Sequence, residues 1–482
     1  MPLKLYNTYS KTKEKFIPRQ KGKVKIYVCG PTVYDYIHVG NARPFIVFDV
    51  LRRFLKYCGY DVTYIMNVTD IDDRIIEQSK REGIDTKEIT EKYTKAFFED
   101  IDALGIQRAD VYPKASEHVH EMIELIKKLL DDKLAYQVGG NVFFNVNKFQ
   151  NYGKLSGKKI DEQLAGARIA IDESKINPLD FALWKRKKPG EPAWDSPWGL
   201  GRPGWHIECS TMSMKYLGKS FDIHAGGVDL VFPHHENEIA QSEGATKQIF
   251  VKYWLHNGYL QIEGEKMAKS LGNFRTVREV LKSYFGVVIR MFFLQKHYRS
   301  PIDFTKEGLE TAKSASNRLS IFFDNLNKAL ANYPISIVNM KKEDFSKSEL
   351  GFLNYFKQKK KELIEAMEDD LNTPVALARL FEMVRETNKI LSKAEIDENE
   401  KYLLALTKKE FEEINSFFGI VDFNDLKMDS DITNDLLNLL IQIRAELRNK
   451  KLWSLADEIR DELNKVGIIL EDKSGKTYWR FK

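Results

Sequence analysis

Residues Lys25 to Asn41, KIYVCGPTVYDYIHVGN, restrict the fold more than any other stretch. Ile26, Tyr27 and Val28 form an apolar run too short for a helix, and Gly30-Pro31-Thr32 breaks it sharply. A helical pattern opens near His38 and Gly40, so the stretch reads as a buried strand, a turn and a helix N-terminus. Such an N-terminus presents unpaired N–H groups and the positive end of the helix dipole, which suit phosphate. Cys29, closing the strand, reads equally as a buried core thiol or as a ligand.

The same unit recurs. Phe45 to Tyr57 has helical apolar spacing with Gly59 beyond its end, and DVTYIMNV (Asp61 to Val68) is a second strand. Thr69 is expected to cap the helix within TDIDDRIIEQ, where Asp70, Asp72 and Asp73 suit the helix dipole better than a metal. Lys92 to Leu104 and Ala115 to Lys133 read as long amphipathic helices. Between residues 135 and 202 the texture changes to short strands and the Pro/Trp-rich run KKPGEPAWDSPWGLGRPGW, which marks an insertion. Trp205 to Leu217, FDIHAGG, a helix from Pro233 and IFVKYWLHNG then resume the alternation.

Alternating strands and helices predict a parallel sheet with right-handed crossovers, and ligands at the carboxyl ends of its strands. Cys29, His224 and His256 fall at or near such ends. The expected architecture is α/β: a Rossmann-like parallel-sheet catalytic domain (1–134 and 203–265) with an inserted subdomain (135–202). A region opening on a charged loop (266–306), an all-helical bundle (307–423) and a small C-terminal α+β domain (424–482) follow. The tract Asn424 to Thr433 reads as a linker, and GIILEDKSGKTYWRFK as a terminal hairpin after two helices.

Composition narrows the class. With 43% hydrophobic and 30% charged residues, no window near the ~18 apolar residues of a membrane span and no apolar signal core at the N-terminus, a soluble cytoplasmic protein is expected. Cys29, Cys58 and Cys209 are far apart, which in a reducing compartment favours thiols or ligands over a disulfide framework. A net charge of +5 permits a nucleic-acid partner without demanding one, and Leu447 to Lys482 is locally basic and aromatic.

FPHHENE places His234 and Glu238 one helical turn apart, with Pro233 in the first turn. Together with Cys29 and the Cys209 of WHIECS, they form a donor set that suits tetrahedral zinc. The same residues also suit a helix-surface pair and two core thiols. His235, Glu236 and Asn237 are placed to orient such ligands. Neither GxxxxGK[ST] nor GxGxxG occurs, which disfavours Walker-type and ordinary dinucleotide sites. HVGN and KMAKS stand in their place, and Lys266 and Lys269 lie in a Gly-flanked loop where two ammonium groups suit a triphosphate, or simply solvent.

The runs CGPTVYDYIHVGNARPF, NVTDIDDRI, GRPGWHIECS, FPHHENEIAQSE and MAKSLGN resemble the class I aminoacyl-tRNA synthetases, and within them the cysteinyl-tRNA synthetase family, nearly end to end. The resemblance implies ATP-dependent activation of L-cysteine to cysteinyl-adenylate, with Mg2+ accompanying ATP, and transfer to cysteine tRNA. It implies zinc on Cys29, Cys209, His234 and Glu238, with the substrate thiolate as a further ligand. It places ATP at Gly30, Thr32, His38, Gly40, Asn41, His256, Gly258, Lys266 and Lys269, with His38, Lys266 and Lys269 catalytic. Thr69, Trp205, His224 and Asp229 would line the amino-acid pocket.

Two departures stand out: the usual HIGH and KMSKS patterns have His and Ser where this chain has Asn41 and Ala268. Asn41 can still donate a hydrogen bond, whereas Ala268 carries no role. The bundle containing DDLNTP resembles the family's anticodon-side domain, with Arg448, Trp453 and Asp457 expected at the anticodon and Trp479 and Arg480 as a second patch. Trp453 also reads as a core residue of its helix. A monomer is expected. The alternatives are an ATP-dependent ligase joining cysteine to an amino sugar, which would lack the C-terminal domain, and a non-catalytic RNA-binding or zinc-binding module, against which HVGN and the KMAKS lysines argue.

Overall fold

Val24, Ile26, Tyr27 and Val28 are almost wholly buried, as a strand covered on both faces by helices requires. The structure, a computed structural model, describes all residues except 1, 158–174, 263–264, 267–274, 332, 334–344, 466–467, 474–475 and 482. It describes only the backbone at 265–266, 423–435, 471–473, 476 and 478–481. Two units result, residues 1–420 and 421–482.

In the first unit, β1 (Lys4–Asn7) and β2 (Thr12–Lys15) form an antiparallel hairpin. Then β3 (Lys23–Val28), α1 (Val39–Tyr57) and β4 (Asp61–Met66) make a βαβ crossover. The helices α2 (Asp73–Glu82), α3 (Thr86–Ala103) and α4 (Val119–Asp131) follow. The last was expected to begin at Ala115, but residues Ala115–His118 are a 3-10 turn. The cap of α2 also differs from expectation. Asp72 is the N-cap and accepts from Arg74 N, while Thr69 stays extended and bridges Thr32, prolonging the pairing of the β3 and β4 chains. With Thr69 held in the sheet pairing, the helix starts three residues later than Thr69 would allow, and the Asp72 carboxylate caps it.

The insertion forms an antiparallel sheet of β5 (Ala135–Val138), β6 (Asn141–Phe144), β7 (Phe181–Arg186) and β8 (Gly201–Pro203). The chain returns through α5 (Trp205–Leu217), β9 (Phe221–Gly227), α6 (Glu236–Thr246) and β10 (Val251–Asn257). The main sheet has the order β10-β9-β3-β4, all parallel. A small sheet of β11 (Leu260–Ile262), β12 (Glu265–Lys266) and β13 (Ile302–Asp303) stands beyond β10. Helices α7 (Val277–Leu281) and α8 (Gly286–Leu294) lead to a bundle of α9 (Lys306–Ala329), α10 (Lys347–Glu368), α11 (Thr373–Leu391) and α12 (Glu398–Phe418). Phe411 ties the bundle core together, its ring centroid 4.8 Å from Phe322 and 5.4 Å from Phe356.

The second unit holds α13 (Phe423–Asn449), α14 (Trp453–Lys465) and a hairpin of β14 (Ile468–Lys473) and β15 (Lys476–Phe481). The tract Asn424 to Thr433, expected as a linker, is the helical start of α13. Its polar composition suits an exposed helix as well as a coil, and composition cannot separate the two. Among the described residues no helix is long and apolar enough to cross a membrane.

Candidate active site and metal centre

The strand-to-helix turn after β3 carries the site. A Cβ on Gly30 would stand 1.7 Å from the Asn67 carbonyl oxygen, so only glycine lets the two chain ends approach. Gly30 N donates to Asn67 Oδ1 at 2.9 Å, and Asn67 Nδ2 donates to Thr69 Oγ1 at 3.1 Å. Eight residues after Gly30, His38 caps α1: its Nδ1 accepts from Asn41 N, and Asn41 Oδ1 accepts from His38 N, both at 3.2 Å. Asn41, where the family's motif has histidine, completes this reciprocal cap, which histidine would not reproduce with an amide oxygen.

A cavity of about 310 Å³ opens at the carboxyl ends of the strands. Cys29, Gly30, Thr32, His38, Gly40, Asn41, Thr69, Trp205, Cys209, Asp229, His234 and Gly258 all line it. Asn67, Arg74 and Asn257 line it too and went unread in the sequence; only the placement of Asn67 and Asn257 at strand ends could have signalled them.

At its inner end four buried donors converge. Cys29 Sγ lies 3.9 Å from both Cys209 Sγ and Glu238 Oε1, and His234 Nε2 lies 3.1 Å from Glu238 Oε1. All four donor atoms lie within 4.8 Å of one another. A tetrahedral ion with Zn–S and Zn–N/O bonds of the usual length needs donors about 3.3–3.8 Å apart, and the separations of 3.1 and 3.9 Å come close enough that small side-chain shifts close the set on such an ion. A second set shares two members: Cys29, His224, His235 and Glu238, with His235 Nε2 3.3 Å from Cys29 Sγ and His224 Nε2 2.9 Å from Glu238 Oε2. Cys29, Cys209 and His234 of the first set open onto the cavity, whereas only Cys29 of the second does.

Electrostatics favour a cation. Burial raises the Glu238 carboxyl, but His224 and His234 outweigh it and hold it down at about 2. The hydrogen bond from Cys29 pulls the Cys209 thiol down to about 6 against the effect of burial, while burial pushes Cys29 well up. Burial lowers His234, yet Glu238 and Cys209 lift it to about 10. A carboxylate and an easily ionised thiol thus face each other in a dry site.

Two expected contacts lie behind the cavity wall. His224 projects from β9 onto the face covered by α6, where Glu238 Oε2 accepts a hydrogen bond from its Nε2, and it is wholly buried. His256 is linked through Nε2 to His235 Nδ1 and through Nδ1 to Thr8 Oγ1, each at 2.8 Å. Strand residues alternate faces, and these two take the covered one. Of the residues expected to orient ligands, His235 touches Cys29, but Glu236 accepts from Gly153 N and Ser156 N, and Asn237 from the Tyr152 hydroxyl. Those two bind α6 to the insertion instead. His234 is oriented by His206, Nδ1 to Nδ1 at 2.9 Å, and by stacking on Trp205 at 4.4 Å between centroids.

Lys266 is described through its backbone, which pairs with Gln261 in the small sheet; Lys269 and Ala268 lie outside the described residues. In the second unit Trp453 is 55% exposed, so it is no core residue, and the Arg448 guanidinium lies over its ring at 5.9 Å. Asp457 pairs with Arg460 at 3.3 Å. Trp479 and Arg480 stand in β15 opposite Leu470 and Ile469.

Residues 15–314 match the family described as the tRNA synthetases class I (C) catalytic domain. Residues 362–422 match the DALR domain, and residues 434–480 the cysteinyl-tRNA ligase anticodon binding domain. A cysteine–tRNA ligase of Carboxydothermus hydrogenoformans is 49% identical over 479 residues, covering 99% of this chain and 100% of the relative. One from Thermococcus gammatolerans is 48% identical over 482 residues, covering 100% and 99%. Among solved structures, Mycobacterium tuberculosis methionyl-tRNA synthetase with methionyl-adenylate superposes with a TM-score of 0.60 at 15% identity, over 82% of this chain and 90% of that one. A leucyl-tRNA synthetase from Agrobacterium radiobacter gives 0.61 at 12% identity, over 84% and 85%. At these identities the superpositions establish the fold.

Proposed function

The chain belongs to the cysteine–tRNA ligase family of class I aminoacyl-tRNA synthetases, and on that premise we propose how its cavity serves the reaction. The reaction is the ATP-dependent attachment of L-cysteine to cysteine tRNA. Ligation of cysteine to an amino sugar finds no support, since residues 434–480 match an anticodon-binding domain that such a ligase does without.

Zinc would be held by Cys29, Cys209, His234 and Glu238, the set whose donors converge and three of which open onto the cavity. When bound it supplies a soft Lewis acid that takes a thiolate in preference to a hydroxyl. An apolar pocket alone separates such small side chains by only about 1–3 kcal/mol, so this preference is what makes discrimination from serine possible. Trp205 backs His234, while Thr69 and Asp229 flank the space left for the amino-acid backbone. His224 acts at one remove, through Glu238.

ATP, with Mg2+, takes the other end of the cavity, at Gly30, Thr32, His38, Gly40, Asn41 and Gly258, where the α1 N-terminus offers its dipole. His256 contributes through His235. A cysteine carboxylate oxygen attacks the α-phosphorus, the bond to the bridging oxygen breaks and pyrophosphate leaves; His38, Lys266 and Lys269 stabilise the charge. A ribose hydroxyl of the tRNA terminus then attacks the acyl carbon and releases AMP. No side-chain nucleophile is needed.

The chain divides its labour as 1–134 and 203–265 for catalysis, 135–202 as inserted subdomain, 266–306 for the KMAKS lysines and the stem, 307–423 as tRNA-binding bundle and 424–482 for the anticodon, where Arg448, Trp453 and Asp457 make contact. We further infer a cytoplasmic monomer, since one chain supplies all four donors.

The observation that carries this reading is the cavity shared by three of the four donors and the α1 N-terminus. Pyrophosphate exchange tests it. Exchange should depend on L-cysteine and be negligible with L-serine; equal exchange with both would refute selection by zinc.

A further inference from the structure

The turn between α10 and α11, DDLNTP, is strained: Asp370 and Leu371 have φ of 63° and 51°. Side chains in this left-handed region cost free energy, and consecutive residues there point to a purpose beyond joining two helices. Asp370 is fully buried, and its carboxylate leaves the bundle. Oδ1 accepts from Tyr6 N at 2.8 Å and from the Tyr298 hydroxyl at 2.7 Å; Oδ2 accepts from Arg299 Nε at 2.8 Å. Its own N–H donates to the Lys4 carbonyl at 2.9 Å.

The segment 297–300 is gripped from its other side. Arg43, wholly buried on α1 two residues after Asn41, donates to the carbonyls of Tyr298 at 3.0 Å and Ser300 at 2.5 Å. The same guanidinium donates to the carbonyls of Gly258 at 2.7 Å and Tyr259 at 2.9 Å, both in the cavity wall. Gly258 N donates to Tyr298 O at 2.8 Å, and a Cβ on Gly258 would fall 2.5 Å from Arg299 O. A buried guanidinium that loses its acceptors is strongly disfavoured, so a shift of 297–300 must drag Gly258, Tyr259 or α1 with it.

We infer that Asp370 is a positioning residue for the nucleotide side of the cavity: through Tyr298 and Arg299 it fixes the segment on which Arg43 aligns the Gly258–Tyr259 wall with the first turn of α1. The inference rests on the reading that ATP occupies that side. DDLNTP is thereby a brace of the catalytic cavity carried by the helical bundle.

Pyrophosphate exchange with ATP and L-cysteine varied separately tests it in the full-length enzyme. Asp370→Asn keeps an oxygen for Tyr6 N and Tyr298 but offers Arg299 no negative charge. It should raise KM for ATP by about tenfold and leave KM for cysteine within about twofold, with bound metal unchanged. Tyr298→Phe should move KM for ATP in the same direction by less, and it decides the matter if Asp370→Asn does not fold. Leu377→Ala, which loosens the buried bundle core without removing a hydrogen-bond partner of the carboxylate, should leave KM for ATP unchanged. Unchanged KM for ATP in both network variants overturns the inference, as does a parallel rise in both KM values or the same rise in Leu377→Ala. Asn41→Ala separates the two readings: if it leaves KM for ATP unmoved, it is the placement of ATP that fails.

Discussion

His234 and His235, consecutive in the chain, belong to two overlapping sets of buried donors: His234 Nε2 lies 3.1 Å from Glu238 Oε1, and His235 Nε2 lies 3.3 Å from Cys29 Sγ. Only His234 reaches the cavity. The protein should therefore hold about one zinc per chain, as a tetrahedral Cys2HisGlu site does. His234→Gln and Cys209→Ser should weaken zinc binding by at least ~10-fold, measured by chelator competition and elemental analysis, with His235→Gln affecting it less. Loss of zinc in His235→Gln with retention in His234→Gln would assign the ion to the overlapping set instead.

Gly30→Ala should damage fold and activity together. The new Cβ has nowhere to go against the Asn67 carbonyl, so the β3 and β4 ends must part. A loss of about 2–4 kcal/mol in unfolding free energy is expected, along with loss of cysteine-dependent exchange. A variant of wild-type stability would show that the ends have more freedom than their 1.7 Å clash implies.

Asp100 gives a pH dependence with a definite sign. Burial lifts its carboxyl to about 6 despite Arg278 at 2.8 Å, and its Oδ2 has no hydrogen-bond partner. An acid whose folded pKa exceeds the unfolded value of about 3.9 contributes its stability fully below that value. The contribution fades as pH rises to about 6, the folded value. Asp100→Asn cannot ionise, so relative to wild type it should gain roughly 1–3 kcal/mol between about pH 4 and pH 7. Unfolding midpoints of both proteins at the two pH values check this, and a constant difference would rule it out.

Trp453→Ala should separate stability from charging. The ring is 55% exposed and held by Arg448, so truncation should leave the unfolding midpoint and pyrophosphate exchange nearly unchanged. If the ring stacks on an anticodon base, charging efficiency should fall by about 10–100-fold, the equivalent of one stacked base. Equal charging by the variant would remove Trp453 from the tRNA surface.

Much of the site was legible because its signals are local. A three-residue apolar run soon followed by Gly-Pro reads as a short strand and a break. The four-residue spacing of His234 and Glu238 brings them to 3.1 Å, although the α-helix expected from Pro233 begins only at Glu236 and His234 lies on the π turn Val231–His235 that leads into it. Other expectations turned on competition between neighbours. Thr69 and Asp72 are both good caps, and the sheet claimed the first. Asn424 to Thr433 has the polarity of a linker and the backbone of a helix.

By itself, then, the sequence determined the alternation of strands and helices, the strand-to-helix turn between Cys29 and His38, and the residue types able to hold a thiophilic metal. Periodicity and side-chain chemistry suffice for these because each is decided within about a dozen residues. Tertiary structure alone decided that Cys29 and Cys209 meet at 3.9 Å, that His224 and His256 stand behind the donors, and that Asp370 reaches the segment held by Arg43. Those relations follow from sheet order, strand facing and buried hydrogen bonds between segments far apart in the chain, whose free energy exists only once the whole unit has closed around them.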